Sequence, residues 1–144
     1  DAGIFRIPVM SWLFRKAKAI PIASARDDPE MLERAFERVS AELREGHLVC
    51  IFPEGRLTTD GEMSPFRPGM MRILERDPVP VIPVALQGLW GSFFSRRSGA
   101  PMTRPFRRGF FSRIGLTAGA PLAATEASPE ELQRRVQLLR SDWR

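Results

Sequence analysis

Cysteine and histidine are nearly missing: the 144 residues hold one of each, Cys50 and His47. A lone cysteine excludes an internal disulfide, and with a single histidine beside it no zinc-type ligand set can form, so no metal is expected. Cys50 lies inside the apolar run His47-Leu48-Val49-Cys50-Ile51 and is expected to be a buried, reduced thiol acting as a small hydrophobe. That suits a cytoplasmic setting. His47 follows Gly46 at the amino end of the run, where an exposed turn histidine is expected. No Ser-His-Asp arrangement that would orient it as a general base is apparent. Apolar runs long enough to cross a bilayer, about 20 residues, are also missing. The opening Asp1-Ala2-Gly3-Ile4-Phe5-Arg6 lacks the charged and long apolar regions of a signal peptide. It lacks an initiator methionine too, so the chain is expected to be a piece of a longer one. Repeats, low-complexity tracts and the glycine-rich phosphate loops of nucleotide-binding folds are absent as well.

What is present suits one domain over residues 1–144 with a real hydrophobic core, at 43% hydrophobic and 27% charged residues. The formal charge of +5 favours an anionic partner: nucleic acid, a phospholipid surface or a phosphorylated substrate. Composition does not choose among them. The basic residues gather near the start (Arg6, Arg15, Lys16, Lys18) and over Arg96, Arg97, Arg104, Arg107, Arg108 and Arg113. Tryptophan and phenylalanine interleave both groups, Trp12 and Phe14 in the first, Trp90, Phe93 and Phe110 in the second. Such mixtures suit a lipid–water interface, single-stranded nucleic acid, or core aromatics beside a solvated basic face.

Apolar positions at Ile4, Ile7, Met10, Leu13 and Phe14 predict a short amphipathic helix over 4–16. A short extended run, Ala19-Ile20-Pro21-Ile22-Ala23, follows. The clearest helix is predicted from Pro29 to about Glu45: Asp28 caps it, Pro29 takes the first position, and Gly46 stops it. Leu32, Ala35, Phe36, Val39 and Leu43 form its apolar stripe. A buried strand over 48–52 comes next, and a helix between two extended runs is the pattern of a parallel βαβ unit. Residues 57–67 read as loop, and Pro68 opens a short helix to about Glu75. Val79 to Leu86 reads as an edge or bulged strand because of its prolines. Residues 87–109 read as a surface excursion, and 110–117 as a further strand. A last helix starts after Ser128, with Pro129 first and Glu131 completing a capping box.

The chemistry gathers at Phe52-Pro53-Glu54-Gly55-Arg56, where the predicted strand 48–52 ends in a turn with an acid and a base side by side. In open α/β sheets ligands collect beyond the carboxyl ends of strands. Arg56 offers a guanidinium fork for a phosphate, and Glu54 an acceptor for a hydroxyl or for that arginine. The alternative on the same residues is an Arg–Glu surface pair on a tight turn.

Three elements, Phe52-Pro53-Glu54-Gly55-Arg56, Phe66-Arg67-Pro68-Gly69 and Val81-Ile82-Pro83-Val84, resemble the glycerolipid acyltransferase family typified by lysophosphatidic acid acyltransferase. The extension Leu57-Thr58-Thr59-Asp60-Gly61 is most similar to lysophospholipid acyltransferases fused to transporter-like domains. The resemblance implies a mixed, mostly parallel α/β sheet flanked by helices, here incomplete. It implies transfer of a fatty acyl chain from acyl-CoA or acyl carrier protein to a lysophospholipid hydroxyl in phospholipid synthesis, at the cytoplasmic face of the inner (plasma) membrane, without a cofactor. Glu54 and Gly55 correspond to the block that contacts the head group, with Arg56 extending it and Phe52 and Pro53 leading into it. Pro83 corresponds to a later block with a positional or acyl-side role. Where the family places a phosphate-binding arginine after an extended run this chain has Ser24, with Arg26 two residues on. The family's catalytic His-x4-Asp motif is not in the chain; five residues after His47 stands Phe52. The motif is expected upstream of Asp1, so no catalytic residue is assigned and the chain is expected to carry the substrate-binding part alone. The alternative is a non-catalytic module that binds anionic lipid. A sheet edge and apolar face bared by a missing upstream part would promote self-association.

Overall fold

The structure, a computed structural model, describes residue 20 and residues 28–56, 58–91 and 113–141. The expected helix over 4–16, Arg26, the basic and aromatic residues before 20, and all of those between 92 and 112 lie outside them, as does the run 19–23 apart from Ile20. The chain divides into two compact units, Asp1–Ile51 and Phe52–Arg144.

In the first unit, helix α1 spans Pro29–Arg44. It starts where the sequence supplies an N-cap: the Asp28 carboxylate accepts from the Met31 N–H at 2.8 Å, and Pro29, which has no N–H to satisfy, takes the first position. Ala35, Phe36, Val39 and Ser40 form the buried face, and Arg34 pairs with Glu30 on the opposite one. The stop is a Schellman arrangement. Gly46, at φ +80, donates to the Leu43 carbonyl, and the His47 N–H donates to the Glu42 carbonyl.

The run 48–52 does not form the predicted strand. No ladder partner for it lies among the described residues, and Leu48 is 95% exposed. An apolar run of five residues signals burial but does not supply the neighbouring strand whose hydrogen bonds would make it one. Cys50 is accordingly exposed, a correction to the buried thiol expected from the same run.

In the second unit, helix α2 spans Gly69–Arg76, strand β1 Val84–Gln87 and strand β2 Gly115–Ala118, followed by a 3-10 turn over Ala124–Glu126 and helix α3 over Pro129–Arg140. The strands pair antiparallel, Val84 opposite Ala118 and Leu86 opposite Leu116. The described sheet is thus a small antiparallel pair, and the mostly parallel sheet expected from the βαβ pattern is not seen among the described residues. Upstream of β1 a bridge joins Val81 to Leu122 through reciprocal N–H to carbonyl bonds of 2.9 and 2.8 Å. Leu122, 2% exposed, sits at the centre of a core with Met70, Leu74, Ala127 and Leu132, against which Phe66 and Val81 pack.

Helix α3 packs on both strands and is capped by Ser128, whose hydroxyl accepts from the Glu131 N–H at 3.1 Å. The second half of the predicted capping box does not form. The Glu131 carboxylate takes Arg134 at 2.8 Å and Arg135 at 2.7 Å instead. At the other end of α3 the buried Gln87 amide donates to the Leu139 and Arg140 carbonyls, which a helix terminus otherwise leaves without partners.

Candidate functional site

Residues 52–67 form a closed loop with its two ends tied together. The Gly55 N–H donates to the Phe52 carbonyl at 3.1 Å, making a tight turn, and the Arg67 N–H donates to the Pro53 carbonyl at 2.9 Å. Gly55 has φ +64, the left-handed region that favours glycine, and a Cβ there would stand 3.2 Å from the Arg67 Cδ and Nε. The Arg67 side chain therefore lies across Gly55, beside the turn that presents Glu54 and Arg56.

The acid and base of the turn do not pair with each other. Both go to Ser64, which is buried. Its backbone N–H donates to Glu54 Oε2 at 2.6 Å, and its hydroxyl accepts from Arg56 Nε at 2.9 Å. The Arg–Glu surface pair considered from the sequence is replaced by a three-residue arrangement with Ser64 in the middle. Arg56 is exposed and makes no ion pair with a described residue. Among the described residues its Nη edge has no hydrogen-bond partner, and such an edge suits a bidentate anion.

Arg56 and Ser64 line an open depression of about 250 Å³ together with Thr58, Thr59, Asp60 and Glu62. Its far wall is shaped by local hydrogen bonds. Asp60 Oδ1 accepts from the Thr58 hydroxyl at 2.8 Å and from the Glu62 N–H at 2.9 Å. The Glu62 N–H first, and the Thr58 hydroxyl second, hold the Asp60 carboxyl below its ordinary range, with the Arg56 charge acting in the same direction. Gly61 is buried at φ +89, where a Cβ would stand 2.8 Å from the Trp90 indole. Helix α3 grips the loop at two points: Gln133 Oε1 accepts from the Phe66 N–H at 3.1 Å, and Arg140 meets Glu62 at 3.3 Å.

Of the residues assigned from the sequence, Glu54, Gly55 and Arg56 come together on this loop. Pro53 is half-buried beneath them and Phe52 is 70% exposed beside them. Pro83 is buried, its carbonyl accepts from the Gly119 N–H at 2.9 Å, and it does not line the depression. Arg26 lies outside the described residues. Ser64 and Arg67 were not singled out by sequence reasoning. Arg67 stood in a quoted element without a role, and no local pattern marks Ser64. His47 is exposed, as expected, with Nδ1 2.9 Å from Glu42 and 3.5 Å from Glu45. This is the convergent histidine–carboxylate group among the described residues. The hydrogen bond at the end of α1 accounts for it without an ion.

The residues, their spacing and the loop they build define a class. The chain belongs to the Acyltransferase family, whose model matches residues 1–87. It is 35% identical over 86 residues to a chloroplastic 1-acyl-sn-glycerol-3-phosphate acyltransferase of Brassica napus, and 31% identical over 86 residues to one of Arabidopsis thaliana. Each match covers 60% of this chain and 24% of the plant protein. A probable 1-acyl-sn-glycerol-3-phosphate acyltransferase of Mycoplasma pneumoniae is 25% identical over 88 residues, covering 60% of this chain and 33% of that protein. These matches span about a quarter to a third of the length of the curated relatives. The fold is similar to that of the solved 1-acyl-sn-glycerophosphate acyltransferase PlsC of Thermotoga maritima, with a TM-score of 0.66 at 19% identity over 94% of this chain and 52% of that one.

Proposed function

We propose that this chain is the head-group-holding part of an acyltransferase that moves a fatty acyl chain from acyl-CoA or acyl carrier protein to the free hydroxyl of a 1-acylglycerol phosphate or related lysophospholipid. The observation that carries the reading is the Arg56 guanidinium. It is held at Nε by Ser64, has no Nη partner among the described residues, and borders a depression lined also by Thr58, Thr59, Asp60 and Glu62. A guanidinium fork matches a phosphate group in geometry and charge. The named relatives, all 1-acyl-sn-glycerol-3-phosphate acyltransferases, one of them probable, support the substrate class.

In this reading Glu54, with Oε2 taken by the Ser64 N–H, orders the turn and presents its other oxygen to a glycerol hydroxyl. Catalysis is assigned to a His-x4-Asp motif, which these 144 residues do not contain: five residues after the one histidine, His47, stands Phe52. The +5 charge favours work at an anionic membrane, on the cytoplasmic face of the inner (plasma) membrane. No described helix is long and apolar enough to cross one. Self-association completes the proposal, through the exposed apolar face of the β1–β2 pair.

An oriented general base is worth roughly 10²–10⁴-fold in rate, so the chain alone is expected to be without measurable turnover. An acyl-transfer assay with labelled acyl-CoA and lysophosphatidate, run on this chain and on its full parent protein, tests this. Activity in the parent and none in the chain is the expected result; robust turnover by the chain contradicts it. The second reading, a non-catalytic module for anionic lipid, is supported by the absence of a His-x4-Asp motif from these 144 residues. It wins if neither form transfers acyl groups while the chain binds anionic vesicles and not neutral ones.

A further inference from the structure

Ser64 stands between the acid and the base of the turn, and its two bonds differ in kind. The bond to Glu54 comes from the backbone N–H and would survive loss of the side chain. The bond from Arg56 Nε ends on the hydroxyl and would not. A guanidinium bound at Nε keeps its four Nη hydrogens for another partner, and its plane is set by the atom that holds Nε. An arginine with several rotatable bonds loses rotamer entropy when a ligand must order it. A hydroxyl that has already fixed the plane removes part of that cost. Ser64 is buried, borders the depression that Arg56 borders, and follows Arg56 by eight residues across a loop that Gln133 and Arg140 clamp from α3. Its backbone is thus held in place by Glu54 and by the loop's ties to α3, without a ligand.

We infer that Ser64 is a positioning residue: through its hydroxyl it aims the Nη edge of Arg56 at the phosphate ester of the substrate. The inference rests on the head-group reading of the turn and deepens it. Ser64 acts through Arg56 and does not itself meet the ligand.

The test is a double-mutant cycle on the chain, with Ser64→Ala, Arg56→Ala, the double variant and Ser64→Thr. Each is titrated calorimetrically with 1-hexanoyl-glycerol 3-phosphate and, in a separate arm, with inorganic phosphate. The Arg56 Nε–H resonance is followed by NMR. The expected results are a loss of about tenfold in affinity for the lipid ester in Ser64→Ala, in the range of a hydrogen bond to a charged group, and retention within about twofold in Ser64→Thr. In the Arg56→Ala background the Ser64→Ala effect is expected to vanish, because one contact carries both losses. The Arg56 Nε–H resonance of Ser64→Ala should move to the position of a solvated arginine. An equal loss from Ser64→Ala with and without Arg56 overturns the inference, as does an unchanged Nε–H resonance. Inorganic phosphate bound as tightly as the lipid ester, or neither ligand bound by the wild-type chain, overturns the head-group reading and the ligand half of this inference with it. The resonance separates that failure from a failure of the Ser64–Arg56 hold.

Discussion

At the scale of single residues, the turn depends on a glycine for two reasons that act together. Gly55 sits at φ +64, and the space a Cβ would fill is bordered by the Arg67 side chain at 3.2 Å. Left-handed backbone costs a residue with a Cβ about 1–2 kcal/mol, so Gly55→Ala is expected to lower stability by at least that much. Gly69, with ordinary φ and nothing within 4 Å of its Cβ position, is the control. Gly69→Ala is expected to be neutral or to stabilise by up to about 1 kcal/mol, because alanine is the better helix former. Urea titration of both variants checks this, and equal midpoints would contradict it. The turn itself was legible in the sequence because Pro53, Glu54 and Gly55 carry turn chemistry in adjacent positions. Ser64 was not legible. It meets Glu54 and Arg56 across ten and eight residues, and a contact between a loop and its own far end leaves no periodic signature. Cys50 misled for the opposite reason: its apolar neighbours gave a strong local signal with no ladder partner behind it among the described residues.

At the scale of elements, helix ends were the best-announced features of the chain. Asp28-Pro29 and Ser128-Pro129 each place a capping side chain before a residue that needs no N–H partner, and α1 and α3 begin there. The capping box was read only by half, because Arg134 and Arg135 compete for the Glu131 carboxylate and a charged hydrogen bond is the stronger one. Hydrogen bonds first from Arg134 and then from Arg135 lower the Glu131 carboxyl from 4.5 to about 2. It therefore titrates lower in the folded chain than in the unfolded one. Its contribution to stability is complete above about pH 4.5 and is lost as the pH falls toward about 2. Glu131→Gln is expected to flatten the fall in stability over that interval, and 1 M salt to shrink the difference because the pair is exposed to solvent. Thermal unfolding of both forms between pH 5 and about 2 is the check; parallel curves would contradict it. The strand 48–52 marks the limit of reading elements alone. A strand is defined by a neighbour, and the described sheet pairs Val84–Gln87 with Gly115–Ala118, with 27 residues of sequence between their near ends.

At the scale of the whole molecule, the β1–β2 pair has two unlike faces. One carries Ala85 and Gln87 against α3; the other leaves Val84, Leu86 and Leu116 exposed, with Ile82 and Ile114 beside them. Contiguous apolar surface of this kind associates. Sedimentation is expected to show concentration-dependent association that Leu116→Glu, at a position already 67% exposed, reverses without unfolding the chain. A monodisperse monomer at high concentration contradicts the expectation. The family was legible at this scale because the turn, the Phe66–Gly69 element and the Val81–Val84 run keep their order and spacing, and the family model covers residues 1–87. Both strands of the described pair fall in or overlap runs read as strands, 79–86 and 110–117, but their antiparallel pairing was not legible, because pairing between distant runs leaves no local pattern. The central claim, that the Phe52–Arg67 loop holds a phosphate head group through Arg56, is tested most directly by titrating the isotopically labelled chain with 1-hexanoyl-glycerol 3-phosphate and mapping amide shifts. Saturable shifts at Gly55, Arg56 and Ser64 that disappear in Arg56→Ala are the predicted result; shifts elsewhere alone, or equal affinity in Arg56→Ala, would contradict it.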